Sequence, residues 1–209
     1  MSDYTVFDLF RLESQRKNFL ILCYIWFVSS LIFYFLSLNI KNFTGNIYIN
    51  GVIICCAEIC VVFLVGLLAN QPSIGRKGTL WILCLIGLIT QFICIFISNK
   101  SVLFTSLMMI NRTSVSGSFS VVYFVSNEIY PTVLRAKGLG FNSVIARIGG
   151  IIAPFILDLI AVEYNLMFFC LLNILTIILI SFLEETNNKA LKELPDEDCY
   201  KASVVELLK

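Results

Sequence analysis

Three charged residues, Glu58, Arg112 and Arg147, lie well inside long apolar stretches of the chain. Counting from the ends of those stretches at about 1.5 Å per helical residue places each within roughly 5 Å of the centre of a bilayer. A charge at that depth is unfavourable by roughly 2.5–3.5 kcal/mol, so such residues usually face a water-accessible interior and pair with one another. We therefore expect Glu58 to lie opposite one arginine. This leaves one positive charge at the depth where transporters bind their substrates.

Two interpretations of these charges remain open from the sequence. In the first, the excess positive charge binds an anion that comes from outside the chain. In the second, Glu58 and one arginine form a fixed buried ion pair, while the other arginine extends towards the membrane surface. Because two arginines and one carboxylate are not neutral together, the charge balance favours the first interpretation.

A row of aromatic and polar side chains follows one face of the first apolar stretch. Trp26, Ser30, Phe33 and Tyr34 share that face by helical spacing. Such a face either lines a cavity for an organic molecule or packs against neighbouring helices, and the spacing fits both.

A second group of charges lies between the fourth and fifth apolar stretches, in NEIYPTVLRAKGLG (127–140). Pro131 ends a helix there because it lacks an N–H and restricts the residue before it. Glu128 and Arg135 are thereby left at the boundary with water, with opposite charges and within reach of other loops. This arrangement is typical of a polar latch on a moving membrane bundle.

The composition is that of a membrane protein, with 58% apolar and 14% charged residues, against roughly a quarter charged in soluble domains. The chain contains no histidine, which removes the usual metal ligand and proton shuttle. Neither clustered metal ligands nor a paired nucleophile and base is visible. We therefore predict no enzymatic activity, no metal site and no cofactor. The net charge of +1 gives no indication of nucleic-acid binding.

Six apolar stretches are each long enough for the roughly 20 residues that cross a bilayer as a helix. None alternates as a barrel strand would. The sequence therefore predicts an all-α membrane protein, a six-transmembrane-helix bundle over 19–183 between flanking segments 1–18 and 184–209. The predicted spans are Phe19–Leu38, Ile47–Ala69, Thr79–Ser98, Val102–Phe124, Leu139–Ala161 and Tyr164–Leu183.

Cationic residues are distributed unevenly around these spans. Nine lysines and arginines flank them on the side that holds both termini, whereas the alternate loops carry only Lys41 and Lys100. Because cytoplasmic loops carry an excess of Lys and Arg, both termini are predicted to be cytoplasmic.

Several motifs, in order along the chain, resemble the C-terminal half of major facilitator superfamily transporters, and among these the organic cation, organic anion and carnitine transporters. The most specific match is EIYPTVLR (128–135), and RIGGIIAPF (147–155) is similar to the family's eleventh helix. Further similar segments are DLFR (8–11), FYFLSLN (33–39), GRK (75–77) and the tail LEETNNKALKELPDE (183–197).

The resemblance implies that the first, second, fourth and fifth spans line a transport cavity. At the position of Arg147, arginine is typical of the family's anion and carnitine carriers, and aspartate of its cation carriers. The substrate-contacting residues that the resemblance implies are Phe33, Tyr34, Glu58, Arg112 and Arg147.

The resemblance also implies a cytoplasmic gate in which Arg76, Glu128 and Arg135 pair when the inner side is closed. The chain departs from the family pattern at Gln71 and Pro72, where the inner-loop motif normally begins with aspartate. The family has twelve helices, whereas this chain has six predicted spans.

The leading functional hypothesis is transport of a small organic ion, an anion or zwitterion, across the plasma membrane by alternating access. The expected partners are that substrate, membrane lipid and a second six-helix half, supplied by another copy, another chain or an upstream segment. The alternative is a non-transporting membrane scaffold or a regulatory half-transporter.

Overall fold

The computed structural model describes residues 9–10, 13–97, 101–159, 162–183 and 185–186. Within these ranges the chain folds into six long α-helices joined by short connections. α1 begins upstream of the first predicted span, and most of both flanking segments lies outside the described residues. The helices are α1 Glu13–Asn39, α2 Ile47–Ala69, α3 Gly75–Ile95, α4 Val102–Ile129, α5 Thr132–Leu159 and α6 Val162–Ser181.

Local sequence determines where α4 begins and ends. The Ser101 side chain accepts a hydrogen bond from the backbone amide of Phe104 at 3.0 Å, which satisfies an amide that the first helical turn leaves free. At the other end, Tyr130 has an extended backbone with ψ of 131°. Proline restricts the preceding residue to such conformations, so Pro131 separates α4 from α5 as the sequence predicts.

The six helices form one bundle, with α1 packed along α5 and also in contact with α4. α3 lies between α4 and α6, and α2 contacts α4. Two clusters of buried apolar side chains fill the bundle, one around Trp26 and Tyr130, the other around Phe35 and Phe169. The predicted six-helix bundle is confirmed, and its orientation in the membrane stays a prediction.

α4 differs from the other helices in its polarity. In the described part of the chain, five helices are long and apolar enough to cross a membrane, and α4 is the one that does not meet this criterion. It carries Asn111, Arg112 and several Ser and Thr residues, and these are mostly buried. In lipid, polar side chains are stabilised by facing other helices. The low hydropathy of α4 therefore reflects its position inside the bundle.

α1 and α5 approach each other closely at Gly149. A Cβ atom added there would lie 2.7 Å from the backbone oxygen of Phe27 and 3.2 Å from the backbone nitrogen of Leu31. Small residues permit such contacts between membrane helices. The lack of a side chain at Gly149 therefore fixes how α5 lies against α1.

We expect Gly149→Ala to lower the free energy of unfolding by about 1–3 kcal/mol, the usual effect of overpacking. The measurement is the thermal unfolding midpoint of the purified chain in detergent. Gly140→Ala on the same helix is the control, because no atom lies within 4 Å of a Cβ added at Gly140. Equal midpoints for the two variants would contradict the close approach.

Candidate functional site

A cavity of about 240 Å³ opens between α1, α4 and α5. Its walls are mainly aromatic, with two serine hydroxyl groups and one guanidinium group. The residues that line it are Trp26, Ser30, Phe33, Tyr34, Phe119, Tyr123, Ser143, Ala146 and Arg147.

The α1 wall of this cavity is held in place by contacts with α4 and α5. The indole of Trp26 donates to the hydroxyl of Ser126 at 3.0 Å, and its ring lies edge-on to Tyr123 with 4.3 Å between centroids. The hydroxyl of Ser30 donates to the backbone oxygen of Ala146 at 2.6 Å. The aromatic face predicted on α1 therefore both packs against its neighbours and lines a cavity.

A glycine on α5 makes room for the Tyr34 ring, which lines the cavity. A Cβ added at Gly150 would lie 2.9 Å from the ring of Tyr34, so that ring rests directly on the α5 backbone. Three residues earlier on the same helix, Arg147 is exposed and lines the same cavity. The phenol from α1 and the guanidinium group from α5 therefore line the same cavity.

Arg112 is not among the lining residues, and an ion pair neutralises it. Its Nη1 atom donates to Oε1 of Glu58 in an ion pair between α4 and α2, and its Nε atom donates to the hydroxyl of Ser37 at 3.1 Å. The guanidinium carbon also lies 3.6 Å from the centroid of the Phe33 ring, a favourable cation–π distance. Three kinds of contact thus hold Arg112 in one orientation.

Arg147 has a different environment from Arg112. Among the described residues, no carboxylate forms an ion pair with Arg147. The sequence prediction that Glu58 lies opposite one arginine therefore agrees with the structure, and that arginine is Arg112. The unmatched positive charge belongs to Arg147, inside the aromatic cavity.

The structure brings only some of the predicted substrate-contacting residues to the cavity surface. Phe33, Tyr34 and Arg147 line it, whereas Glu58 and Arg112 are not among its lining residues. All five roles as substrate contacts stay predictions.

Some cavity residues were not predicted from the sequence. Phe119 and Tyr123 are four residues apart on α4, and Ser143 precedes Arg147 by four on α5. Residues four apart share a helical face, so this spacing in the sequence could have indicated that each pair faces the same cavity.

The predicted gate residues lie at the opposite end of α4 from Ser101. Arg76, in the first turn of α3, forms an ion pair with Glu128 near the end of α4. Arg135 instead donates to the hydroxyl of Thr132 at 3.4 Å, one turn earlier in α5. The gate role of all three residues stays a prediction. This end, predicted to be cytoplasmic, is called the inner end below.

Six helices with this connectivity and a polar interior form a bundle of the kind that makes up one half of a major facilitator transporter. No protein-family model matches the chain. Among curated proteins, it is 35% identical over 205 residues to "Solute carrier family 22 member 15-like" of Xenopus tropicalis. This match covers 92% of this chain and 40% of that protein.

Two further relatives are named as organic ion transporters. The chain is 35% identical to "Organic cation transporter protein" of Drosophila melanogaster and 32% identical to "Organic anion transporter 3" of the mouse; each match covers 73% of this chain and 28% of the relative. The chain is thus a multi-pass membrane protein homologous to the solute carrier family 22 transporters. It spans about 40% of the length of the first relatives.

We expect Glu58→Leu to destabilise the protein, because it leaves Arg112 buried without its carboxylate partner. Loss of one member of a buried pair lowers the free energy of unfolding by about 3–5 kcal/mol. The loss should fall near the lower end of that range, because the Glu58 side chain is 25% exposed and water already screens the pair in part.

The double variant Glu58→Leu/Arg112→Leu should unfold at a higher temperature than Glu58→Leu alone, because replacing both charges avoids an unpaired buried ion. Thermal unfolding of both purified chains in one detergent makes the comparison. A double variant that is less stable than the single variant would show that Arg112 does not depend on Glu58.

Proposed function

We propose that this chain forms one half of a secondary transporter that carries a small organic anion or zwitterion by alternating access. The observation that carries the proposal is the Arg147 guanidinium group, which has no ion-pair partner among the described residues and lies in an aromatic cavity. Arg147 is exposed in this half alone, but a cation without a counter-ion attracts an anion strongly once a second half closes the cavity and excludes water.

The charge on Arg147 decides the sign of the substrate. Aromatic rings by themselves accept apolar groups and also cations, so the lining of Phe33, Tyr34 and Trp26 does not select for charge. Arg112 adds little to the choice because Glu58 neutralises it. The carboxylate or sulfonate of an aromatic anion would accept from Arg147 while its ring packs on Phe33 and Tyr34.

Alternating access requires a second half that closes the open side of this cavity. Another copy of the chain, a separate chain or an upstream six-helix segment would supply it. The ion pair between Arg76 and Glu128 would hold the inner end together in one of the two states, and Arg135 would join it when that end closes. The plasma membrane is the proposed location.

Uptake into vesicles that contain the chain assembled with its second half tests the substrate sign. We expect uptake of labelled benzenesulfonate and little uptake of phenyltrimethylammonium, because these permanently charged ions of similar size differ in sign. Arg147→Ala should lower benzenesulfonate uptake at least tenfold, a loss of roughly 1.4 kcal/mol or more in binding the anion.

Lys41→Ala is the matched control, because it removes one positive charge at the exposed turn between α1 and α2. It should leave uptake unchanged. The proposal would be contradicted if the vesicles took up phenyltrimethylammonium in preference to benzenesulfonate. It would also be contradicted if Arg147→Ala left benzenesulfonate uptake unchanged.

A non-transporting scaffold or regulator is favoured by one feature, the missing inner-loop aspartate at Gln71–Pro72. The mass of the detergent-solubilised chain distinguishes the two functions. A transporter assembled from two copies should have twice the mass of one chain, whereas a monomer that never associates has no second half within its own assembly.

A further inference from the structure

The first turn of α3 has no cap from its own sequence. The residue before the helix, Ile74, has an apolar side chain and makes no capping hydrogen bond. The cap comes instead from Glu185, which follows α6. The Glu185 carboxylate accepts from the backbone amides of Arg76 at 3.1 Å and Lys77 at 3.2 Å, and a carboxylate at this position is also favoured by the helix dipole.

Gly75 makes room for this contact. Its φ is +66°, a conformation that residues with a side chain rarely adopt. A Cβ added there would lie 2.7 Å from the carboxylate carbon of Glu185. Both the backbone conformation and the space at Gly75 therefore suit a carboxylate that arrives from the end of α6.

Lys77 makes the reciprocal contact. Its ammonium group donates to the backbone oxygens of Ser181 at 2.7 Å and Leu183 at 2.8 Å. These carbonyls lie at the end of α6, where a cation is favourable. The start of α3 and the end of α6 are thus joined by two charge-assisted contacts of opposite direction.

Arg76 connects this arrangement to the inner end of the bundle. Its backbone amide is bound by Glu185, and its side chain forms the ion pair with Glu128 of α4. One residue therefore takes part in both contacts. Because the position of a side chain depends on its backbone, the first contact affects the geometry of the second.

We propose that Glu185 is a positioning residue for the ion pair between Arg76 and Glu128. By capping α3, it keeps the first helical turn formed and directs the Arg76 guanidinium group towards α4. A helix end without a cap frays, and a frayed turn would let Arg76 exchange among many rotamers at the expense of the pair. This inference rests on the proposed function only in taking that pair to be part of the gate.

A double-mutant cycle in three backgrounds tests the proposal. Arg76→Ala, Glu128→Ala and their combination are made with Glu185 intact, with Glu185→Ala and with Glu185→Gln, and thermal unfolding midpoints of the full chain in detergent are measured. The difference between the midpoint shift of the double variant and the sum of the two single-variant shifts measures the coupling between Arg76 and Glu128. We expect this coupling to fall to roughly half or less with Glu185→Ala.

The Glu185→Gln background separates capping from a general effect of charge. The amide side chain of this variant keeps one carbonyl oxygen that can accept from one backbone amide, so the coupling should be intermediate. This variant also keeps the test possible if Glu185→Ala does not fold. Asp158→Asn removes one carboxylate at the other end of α5 and should leave the coupling intact.

Amide hydrogen exchange gives an independent measurement. Loss of the cap in Glu185→Ala should speed exchange at Arg76 and Lys77 roughly fivefold, the ratio for a cap of about 1 kcal/mol. Faster exchange with unchanged coupling would overturn the positioning role. Absence of coupling with Glu185 intact would instead count against the gate itself, so the two failures are distinguishable.

Discussion

The ion pair between Glu58 and Arg112 determines what charge the cavity presents. In a low-dielectric interior, two arginines near each other would repel and would both require solvation. Because Glu58 and Phe33 together satisfy Arg112, only Arg147 contributes a net charge to the cavity. The net charge on the cavity lining therefore follows from which of the two arginines pairs with the carboxylate, and the proposed anion selectivity depends on that pairing.

The selected arginine belongs to α4, the most polar helix of the bundle. Its polar groups are tolerated in a membrane because α1, α2 and α3 surround it. Close contacts make this enclosure possible: a Cβ added at Gly117 of α4 would lie 2.7 Å from Val61 of α2, and Gly149 gives α5 its position on α1. Small residues thus allow the helices to exclude lipid from the charged interior without long side chains between them.

The sequence was sufficient to predict the number of helices from the length of the apolar stretches, and the break between α4 and α5 from the chemistry of Pro131. It also predicted that Glu58 pairs with an arginine, because buried charges need a partner of opposite sign. It did not distinguish Arg112 from Arg147 as the partner, because that depends on how α2 lies against α4. Pairing of Arg135 within a closed gate stays a prediction; here its guanidinium group donates to the nearby Thr132. The cap that Glu185 supplies to α3 was missed because its two parts are far apart in sequence.

That separation has a consequence for biosynthesis. Arg76 and Glu185 are 109 residues apart, and chains grow at roughly 5–20 residues per second. For several seconds after α3 leaves the ribosome, its first amides have only water or lipid headgroups as acceptors. The first turn of α3 therefore receives its cap only after α6 has been synthesised, and a nascent chain truncated ahead of α6 would leave the backbone amides of Arg76 and Lys77 without this acceptor.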